Sequence, residues 1–210
     1  GIEVVFTRPI DTVEVRWMPR PGRRDTLSLE GVLFRPADAN GIHYHAVGVN
    51  GAATHSYLKA VRFTEQLGEL PPDLVVFGLG INDAHKARGA FDTLAFERRY
   101  DSLVDAVRSV NPRAEFVWLT NNDALYQGAP NPHGIAVQRI MRRLAQRHDG
   151  AVYDFFADMG GYGSVRRWMA NQWARPDGIH LSQVGYEAQA AWFAQAFITA
   201  YLRHQESRPW

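Results

Sequence analysis

The sequence predicts an α/β domain in which a parallel sheet is flanked by helices, and three observations support this. From residue 42 onward, short apolar runs alternate with segments whose apolar residues recur every three or four positions. The run Leu74–Leu79 is continuously apolar, which is typical of a strand buried on both faces. Proline or glycine marks the boundary between many of these segments. The resulting alternation of strands and helices is typical of parallel sheets.

The first 40 residues have a different character. Three runs there are rich in valine, threonine and aromatic residues and predict short strands: Ile2–Thr7, Thr12–Met18 and Thr26–Phe34. A polar stretch containing proline and glycine, residues 36–41, follows them and reads as a linker. We therefore expect a β-rich segment over residues 1–40 and the α/β domain over residues 41–210.

The first half of the α/β domain opens with a predicted strand at Ile42–Val49. A helix over Ser56–Leu70 follows and stops at Pro71-Pro72, and Leu74–Leu79 is the next strand. The following helix ends at Asn111-Pro112. Its core face is marked by Phe96, Tyr100, Leu103, Val107 and Val110.

The second half repeats the alternation. Phe116–Leu119 and Val152–Phe156 are predicted buried strands, and a helix lies between them. The face of that helix is marked by Val137, Ile140, Met141 and Leu144. A long final helix carries a predicted core stripe of Tyr186, Ala190, Phe193, Phe197 and Tyr201.

Composition excludes several classes of function. With 46% hydrophobic residues among 210, a sizeable core is available. The 23 basic and 22 acidic residues nearly cancel, which argues against nucleic acid or an anionic membrane as the main partner. No cysteine is present, so disulfides, thiolate metal sites and cysteine nucleophiles are excluded. No apolar run approaches the ~20 residues of a membrane span, and no signal peptide is visible.

Three loops carry residue types that could do chemistry, and ligand sites in such sheets lie at the carboxyl ends of strands. In Asp177-Gly-Ile-His180 a carboxylate can fix the tautomer of a histidine acting as general base, although many such runs are only helix starts. Asn82, in Gly80–Asp83, can donate an amide to an oxyanion or simply close a turn. Gly51 can bring its N–H to a ligand or form a plain strand-to-helix turn.

Other polar and aromatic residues stay open to two interpretations. Asn122 follows the Phe116 strand at its carboxyl end and either contacts substrate or forms a turn. Trp173 precedes Asp177 and either supports a sugar ring by stacking or belongs to the core. His43 and His45 alternate on one strand face, but no carboxylate accompanies them, so packing or substrate contact is favoured over a metal. We expect no metal and no cofactor, since neither a dinucleotide fingerprint nor a phosphate-binding loop follows a strand.

Taken together, Gly51, the Gly-x-Asn-Asp of Gly80–Asp83 and the Asp-x-x-His of Asp177–His180 resemble blocks two, three and five of the SGNH/GDSL hydrolase superfamily. The resemblance implies a flavodoxin-like fold over residues 41 to 204. It implies that His180 is the base and Asp177 its orienting acid. It also implies that the Gly51 N–H and the Asn82 amide form the oxyanion hole.

Two longer stretches, residues 41–52 and residues 159–168, are similar to a bacterial subgroup of carbohydrate O-acetylesterases that includes peptidoglycan O-acetylesterases. That subgroup carries an inserted β-sandwich, of which residues 1–40 would be the tail. The resemblance implies an acetylated carbohydrate or other small ester as substrate. It also suggests a periplasmic or secreted location.

One departure from the family is decisive. The family's nucleophile lies in a Gly-Asp-Ser block on the first strand, and this sequence contains no Gly-Asp-Ser. We expect that the first strand and the serine are missing from this polypeptide, which leaves the chain nearly inactive alone. A complementary N-terminal fragment or a homodimer would then pair with the exposed strand edges. The alternative is a non-catalytic glycan-binding or scaffold protein that retains the hydrolase fold.

Overall fold

A computed structural model describes residues 4–8, 10–16, 18, 21, 22, 32 and 41–207. The chain divides into two units, residues 1–46 and residues 47–210, and every helix and strand described lies in the second. The described residues of the first unit include most of the predicted strands Ile2–Thr7 and Thr12–Met18, and none of them is in a strand. Apart from Val32, the predicted strand Thr26–Phe34 lies outside the described residues.

The centre of the second unit is a parallel sheet, as predicted. Its strands run in the order β1-β2-β5, and a short antiparallel hairpin, β3–β4, stands apart from it. Parallel pairing sets Val75 of β1 opposite Phe116 of β2, and Val117 of β2 opposite Ala151 of β5. The strands are β1 Leu74–Phe77, β2 Glu115–Leu119, β3 Leu125–Tyr126, β4 Ala129–Pro130 and β5 Ala151–Tyr153.

Helices follow the strands and flank the sheet. They are α1 Thr54–Leu58, α2 Phe63–Glu69, α3 Ile81–Ala84, α4 Thr93–Val110, α5 His133–Arg147, α6 Phe155–Asp158, α7 Val165–Ala170 and α8 Gln183–Glu206. The main core lies between α4, α5 and the sheet, where Phe96, Tyr100 and Trp118 are fully buried. A second cluster gathers Phe155, Trp168 and Leu181 beneath the loop that contains Asp177 and His180.

Helix α4 shows how local sequence sets an element. Asp92 caps its start by accepting a hydrogen bond from the Ala95 N–H at 2.9 Å. The predicted apolar stripe, including Phe96 and Tyr100, faces the core. The helix ends at Asn111, because Pro112 disfavours the helical conformation of the residue before it. Both the existence and the face of this helix were predicted correctly.

Four predicted elements need correction. The predicted buried strand Val152–Phe156 is the shorter β5, Ala151–Tyr153, whose first two residues are exposed, and Phe155 and Phe156 instead begin helix α6. Ile42–Val49 is not a strand: no ladder of backbone hydrogen bonds joins it to any described residue, and Ile42 is 98% exposed. The helix expected over Ser56–Leu70 is two helices, α1 and α2, separated by a turn in which the Ala60 N–H bonds to the Tyr57 carbonyl. Strand β1 is not buried on both faces, because Leu74 and Val76, which share a face, are each about two-fifths exposed.

Helix α8 forms where predicted, but its expected core stripe is mostly exposed. Gly185 is its one fully buried residue, and Trp192 and Phe193 are half-buried. Phe197 and Tyr201 lie on the open surface, as does every described residue of the helix beyond Phe193. No described element packs closely against that second half, so the apolar stripe has no partner there.

Candidate functional site

The Asp177–His180 loop is the tip of a short two-stranded hairpin. Ala174 and Leu181 are opposite each other in an antiparallel bridge, and both are buried. Beyond them the Arg175 N–H donates to the His180 carbonyl at 2.8 Å. Gly178 adopts a left-handed conformation, with φ of +66°, which closes the turn. The backbone therefore fixes both ends of the Asp-x-x-His run.

Asp177 and His180 form a hydrogen-bonded pair, as predicted from their spacing. The His180 Nδ1 atom lies 2.9 Å from Asp177 Oδ2. The other carboxylate oxygen accepts the N–H groups of Ile179 at 2.8 Å and His180 at 2.9 Å. Partial burial raises the pKa of Asp177, but these hydrogen bonds outweigh it and hold the pKa below its ordinary value of 3.8. The carboxylate therefore stays ionised and orients the imidazole.

With Nδ1 held by the carboxylate, the second ring nitrogen, Nε2, makes no hydrogen bond to a described residue. The His180 side chain is 51% exposed, so this nitrogen is accessible to a substrate or a hydroxyl group. An oriented, accessible imidazole of this kind can accept a proton and return it.

The hairpin is anchored to the segment that follows β2. The Asn122 side-chain amide donates to the Ile179 carbonyl at 2.9 Å, and the Leu125 N–H donates to the Gly178 carbonyl at 2.7 Å. A Cβ at Gly178 would lie 2.6 Å from a Leu125 methyl group, so only glycine fits this approach. Asn122 thus supports the His180 loop. Neither of its two sequence interpretations, substrate contact or a turn, describes this role.

Gly51 and Asn82 are brought together by a second set of contacts. Gly51 has φ of +74° in a turn closed by the Ala52 N–H and the Val49 carbonyl at 3.0 Å. The Asn82 side-chain amide donates to the Ala52 carbonyl at 2.8 Å. The Gly51 N–H makes no hydrogen bond among the described residues. Two donors without a described partner, this N–H and the second hydrogen of the Asn82 side-chain amide, therefore belong to the Gly51 turn and to helix α3.

Asp83 joins helix α3 to the start of helix α1, which follows the Gly51 turn. It is buried, and its carboxylate accepts the Thr54 N–H at 2.9 Å and the Thr54 hydroxyl at 2.7 Å. The Arg99 guanidinium lies 3.6 Å from the same carboxylate. Thr54 was missed by sequence reasoning, since nothing in the local pattern indicates a partner 29 residues away.

The two pairs of predicted site residues adjoin the same segment after β2. Asn122 holds the His180 loop, while its neighbour Asn121 contacts the loop before Asn82: its amide nitrogen would lie 3.0 Å from a Cβ at Gly80. In the described part of the chain no hydrogen bond joins His180 directly to Asn82. The connection between the pairs therefore runs through Asn121 and Asn122.

Trp173 lies in an aromatic cluster. Its ring is in edge contact with Trp168, at a centroid distance of 5.2 Å, and its carbonyl accepts the Ser182 N–H at 2.9 Å. It is half-buried against the second core cluster. Of its two interpretations, packing is the one that these contacts describe.

The described residues include no group of three or more histidine, cysteine, aspartate or glutamate side chains that could hold a metal ion. His43 and His45 are both exposed. No helix among the described residues is both long and apolar enough to cross a membrane.

The described serines are used locally. Five of them form hydrogen bonds within a turn or helix: Ser56, Ser102, Ser109, Ser182 and Ser207. Ser164 is buried, and its hydroxyl has no partner among the described residues. Ser28 lies outside the described residues.

Comparisons with known proteins agree with this architecture. The family model of the GDSL-like lipase/acylhydrolase family matches residues 28–188. The fold is similar to that of a peptidoglycan O-acetylesterase, with a TM-score of 0.68 and 25% identity over 74% of this chain. The matched part is 45% of that protein, so this chain spans less than half of its length.

A lipase/acylhydrolase from Enterococcus faecalis has a TM-score of 0.54 and 21% identity, over 70% of each chain. An acetyl xylan esterase has a TM-score of 0.52 and 20% identity, over 70% of this chain and 78% of its own. At these identities the two share the fold. No protein of curated function matches the sequence. The family match covers most of the chain and confirms the resemblance seen in its motifs, and so this chain belongs to the GDSL-like lipase/acylhydrolase family.

Proposed function

We propose that this chain supplies most of the active site of a serine-type ester hydrolase that removes O-acetyl groups from a carbohydrate. His180 is the general base, Asp177 orients it, and Gly51 and Asn82 donate to the oxyanion. The hydrogen-bonded pair of Asp177 and His180 is the observation that carries this proposal, because it gives the imidazole one held and one accessible nitrogen.

In this mechanism Nε2 of His180 takes the proton of an attacking serine hydroxyl while the serine oxygen bonds to the acetyl carbonyl carbon. The resulting imidazolium gives that proton to the departing sugar oxygen as the ester bond breaks. Water then hydrolyses the acetyl-enzyme by the same route, releasing acetate and restoring the serine. The ionised Asp177 carboxylate stabilises the imidazolium in both steps.

The Gly51 N–H and the free hydrogen of the Asn82 amide are proposed as donors to the tetrahedral oxyanion. The bond from Asn82 to the Ala52 carbonyl and the clamp from Asp83 to Thr54 support this role, since they hold both donors before substrate arrives. Removing one such donor typically raises the barrier by about 3–4 kcal/mol.

We infer that the nucleophile lies outside residues 1–210. The absence of Gly-Asp-Ser supports this, as do the local hydrogen bonds of five serines and the burial of Ser164. A second copy of the chain would bring no Gly-Asp-Ser either, so a complementary fragment fits the nucleophile role better than a homodimer.

The substrate proposal rests on the likeness to a peptidoglycan O-acetylesterase. With an acetylated glycan as substrate, the leaving group is a sugar oxygen, and the His180 imidazolium would protonate it. The proposed substrate is therefore an O-acetylated carbohydrate, with acetyl as the acyl group.

Turnover of p-nitrophenyl acetate by the 210-residue chain and its His180→Ala variant tests this function. We expect the chain alone to hydrolyse the ester barely faster than buffer. We also expect the gene to encode a Gly-Asp-Ser roughly one to two hundred residues before Gly51, as the resemblance implies, and the longer protein to show activity that is lost in His180→Ala. Strong, His180-dependent activity of the chain alone would contradict the missing-nucleophile proposal. A fully active His180→Ala variant of the longer protein would contradict the mechanism.

A non-catalytic glycan-binding protein is the second candidate, and the missing Gly-Asp-Ser is the observation that favours it. Incubating the chain and the longer protein with an O-acetylated glycan separates the two functions. Binding without acetate release by either polypeptide would favour the scaffold, whereas acetate release by the longer protein identifies the enzyme.

A further inference from the structure

A pocket of about 380 Å³ lies against the first strand of the His180 hairpin. This volume is within the range of about 300–1,000 Å³ that is usual for small-molecule sites. Its wall is formed by Met169, Gln172, Ala174, Arg175, Pro176 and Ser182. Neither the catalytic proposal nor the sequence motifs account for this pocket.

Arg175 is placed beside His180 by the hairpin register. Because Ala174 and Leu181 are opposite each other, Arg175 and His180 form the next opposite pair. Side chains of directly opposite residues leave an antiparallel pair on the same face, with Cβ atoms roughly 5 Å apart. Ala174 and Leu181 are buried, so the opposite face, which carries Arg175 and His180, is the accessible one.

The Arg175 guanidinium has no partner within the described part of the chain. Its side chain is exposed and makes no hydrogen bond or ion pair with any described residue. By contrast, nearby Arg166 and Arg167 donate to the carbonyls of Gly128 and Met159. None of the six residues lining the pocket is acidic, so the cation is not neutralised within the pocket wall.

The rest of the lining suits a sugar ring. Met169 and Pro176 offer apolar surface to its C–H groups. The Ser182 hydroxyl accepts the Gly185 N–H, which leaves its own O–H free to donate, and the Gln172 side-chain amide makes no hydrogen bond among the described residues. This combination offers a ring-sized apolar wall, two polar groups for hydroxyls and one free guanidinium.

We propose that this pocket binds a carboxylate-bearing sugar unit of the substrate, with Arg175 pairing its carboxylate beside the reacting ester. Arginine suits this role because its planar fork binds both carboxylate oxygens at once. The position relative to the ester rests on the proposed function of His180, whereas binding in the pocket does not require hydrolysis.

Titration of the chain with D-glucuronate, followed by NMR shifts of backbone amides in residues 169–182, tests the proposal at low ionic strength. D-Glucose reports the sugar ring without the charge, and inorganic phosphate reports an anion without the ring. We expect saturable glucuronate binding about tenfold tighter than binding of either probe, weakening as salt screens the ion pair. No saturable binding, or equal binding of glucose or phosphate, would overturn the proposal.

Substitutions then identify the residue. Arg175→Gln should weaken glucuronate binding about tenfold, to the level of glucose, and Arg175→Lys should retain part of it as a point charge. The matched control is Arg139→Gln, an exposed arginine on α5 outside the pocket, which should bind as the parent does. Equal losses in the two glutamine variants, or none in Arg175→Gln, would contradict the assignment.

The His180→Ala variant separates this proposal from the esterase mechanism. It should bind glucuronate normally, because His180 does not line the pocket. If the longer protein fails to release acetate while glucuronate still binds through Arg175, the proposed mechanism is wrong and the acid-sugar pocket stands. If acetate is released but Arg175→Gln leaves glucuronate binding unchanged, the pocket assignment is wrong alone.

Discussion

At the residue scale, Asp177 shows how one carboxylate can organise a loop. It accepts two backbone N–H groups and one ring nitrogen from the next three residues, so its charge is matched by donors that the loop itself supplies. This pairing is local, and the spacing in the sequence predicted it. The depressed pKa of Asp177 follows from the same contacts.

The depressed pKa leads to a prediction about acid stability. Asp177 should stabilise the fold fully above its unfolded pKa, near 3.8, and lose that contribution as pH falls through its lower folded pKa. In urea unfolding between about pH 5 and pH 2, Asp177→Asn should therefore lose less free energy of unfolding than the parent does. Asp105→Asn, at an exposed site on α4 with no hydrogen-bonded partner described, is the control and should follow the parent. Identical pH slopes for the parent and Asp177→Asn would contradict the linkage.

Asn122 contacts the His180 loop directly, although the two are far apart in sequence. Its amide is bonded to the Ile179 carbonyl, 57 residues along the chain. We predict that Asn122→Ala destabilises the fold by about 1 kcal/mol and accelerates amide hydrogen exchange at residues 178–180. Asn122→Asp, which keeps the shape but has no amide donor, should behave similarly. Exchange rates in this loop that match the parent in both variants would show that Asn122 is not a support.

At the element scale, short helices hold the site because buried polar pairs join them. Helix α1 begins at Thr54, and α3 contains both Asn82 and Asp83, so the hydrogen bonds between Thr54 and Asp83 hold the Gly51 turn next to α3. Neither helix, at four or five residues, would be stable alone. Tertiary contacts therefore fix the two proposed oxyanion donors.

Thr54→Val tests this connection. The change keeps the shape of the side chain but removes the hydroxyl donor from a buried carboxylate, and we expect a loss of about 1–3 kcal/mol in the free energy of unfolding. Thr54→Ser, which restores the hydroxyl, should recover most of it. Chemical denaturation measures both variants, and a Thr54→Val protein as stable as the parent would refute the clamp.

At the scale of the whole molecule, the second unit leaves apolar surface without a described partner. Among the described strands the sheet ends at β1, which pairs with β2 alone, and the second half of α8 exposes Phe197, Ile198 and Leu202. Exposed strand edges and apolar patches promote association. The exposed edge of β1 is where the predicted fragment or second copy would pair.

We predict that the chain self-associates through the exposed apolar residues in the second half of α8, which include Ile198 and Leu202. Sedimentation velocity should show larger species as concentration rises, and the Ile198→Glu/Leu202→Glu double variant should stay monomeric over the same range, because buried charges oppose association. Glu187→Gln/Gln195→Glu, which changes exposed polar residues of the same helix, is the control. A parent chain that remains monomeric throughout would contradict the prediction.

The sequence by itself determined the features that depend on near neighbours. The stripe of α4, the parallel strands β1, β2 and β5, and the Asp177–His180 pair all follow from periodicity or from contacts a few residues apart. Such patterns can be recognised in a sequence because the backbone geometry of a helix or a strand repeats every few residues.

Only the tertiary structure decided which groups meet across the chain. It joined Asn122 to Ile179 and Thr54 to Asp83, and it placed Trp173 in an aromatic cluster. It also showed that Ile42–Val49, predicted as a strand, is not one, and it left half of the predicted core stripe of α8 exposed. An apolar pattern states that a face favours burial, whereas the presence of a packing partner depends on residues far away in sequence.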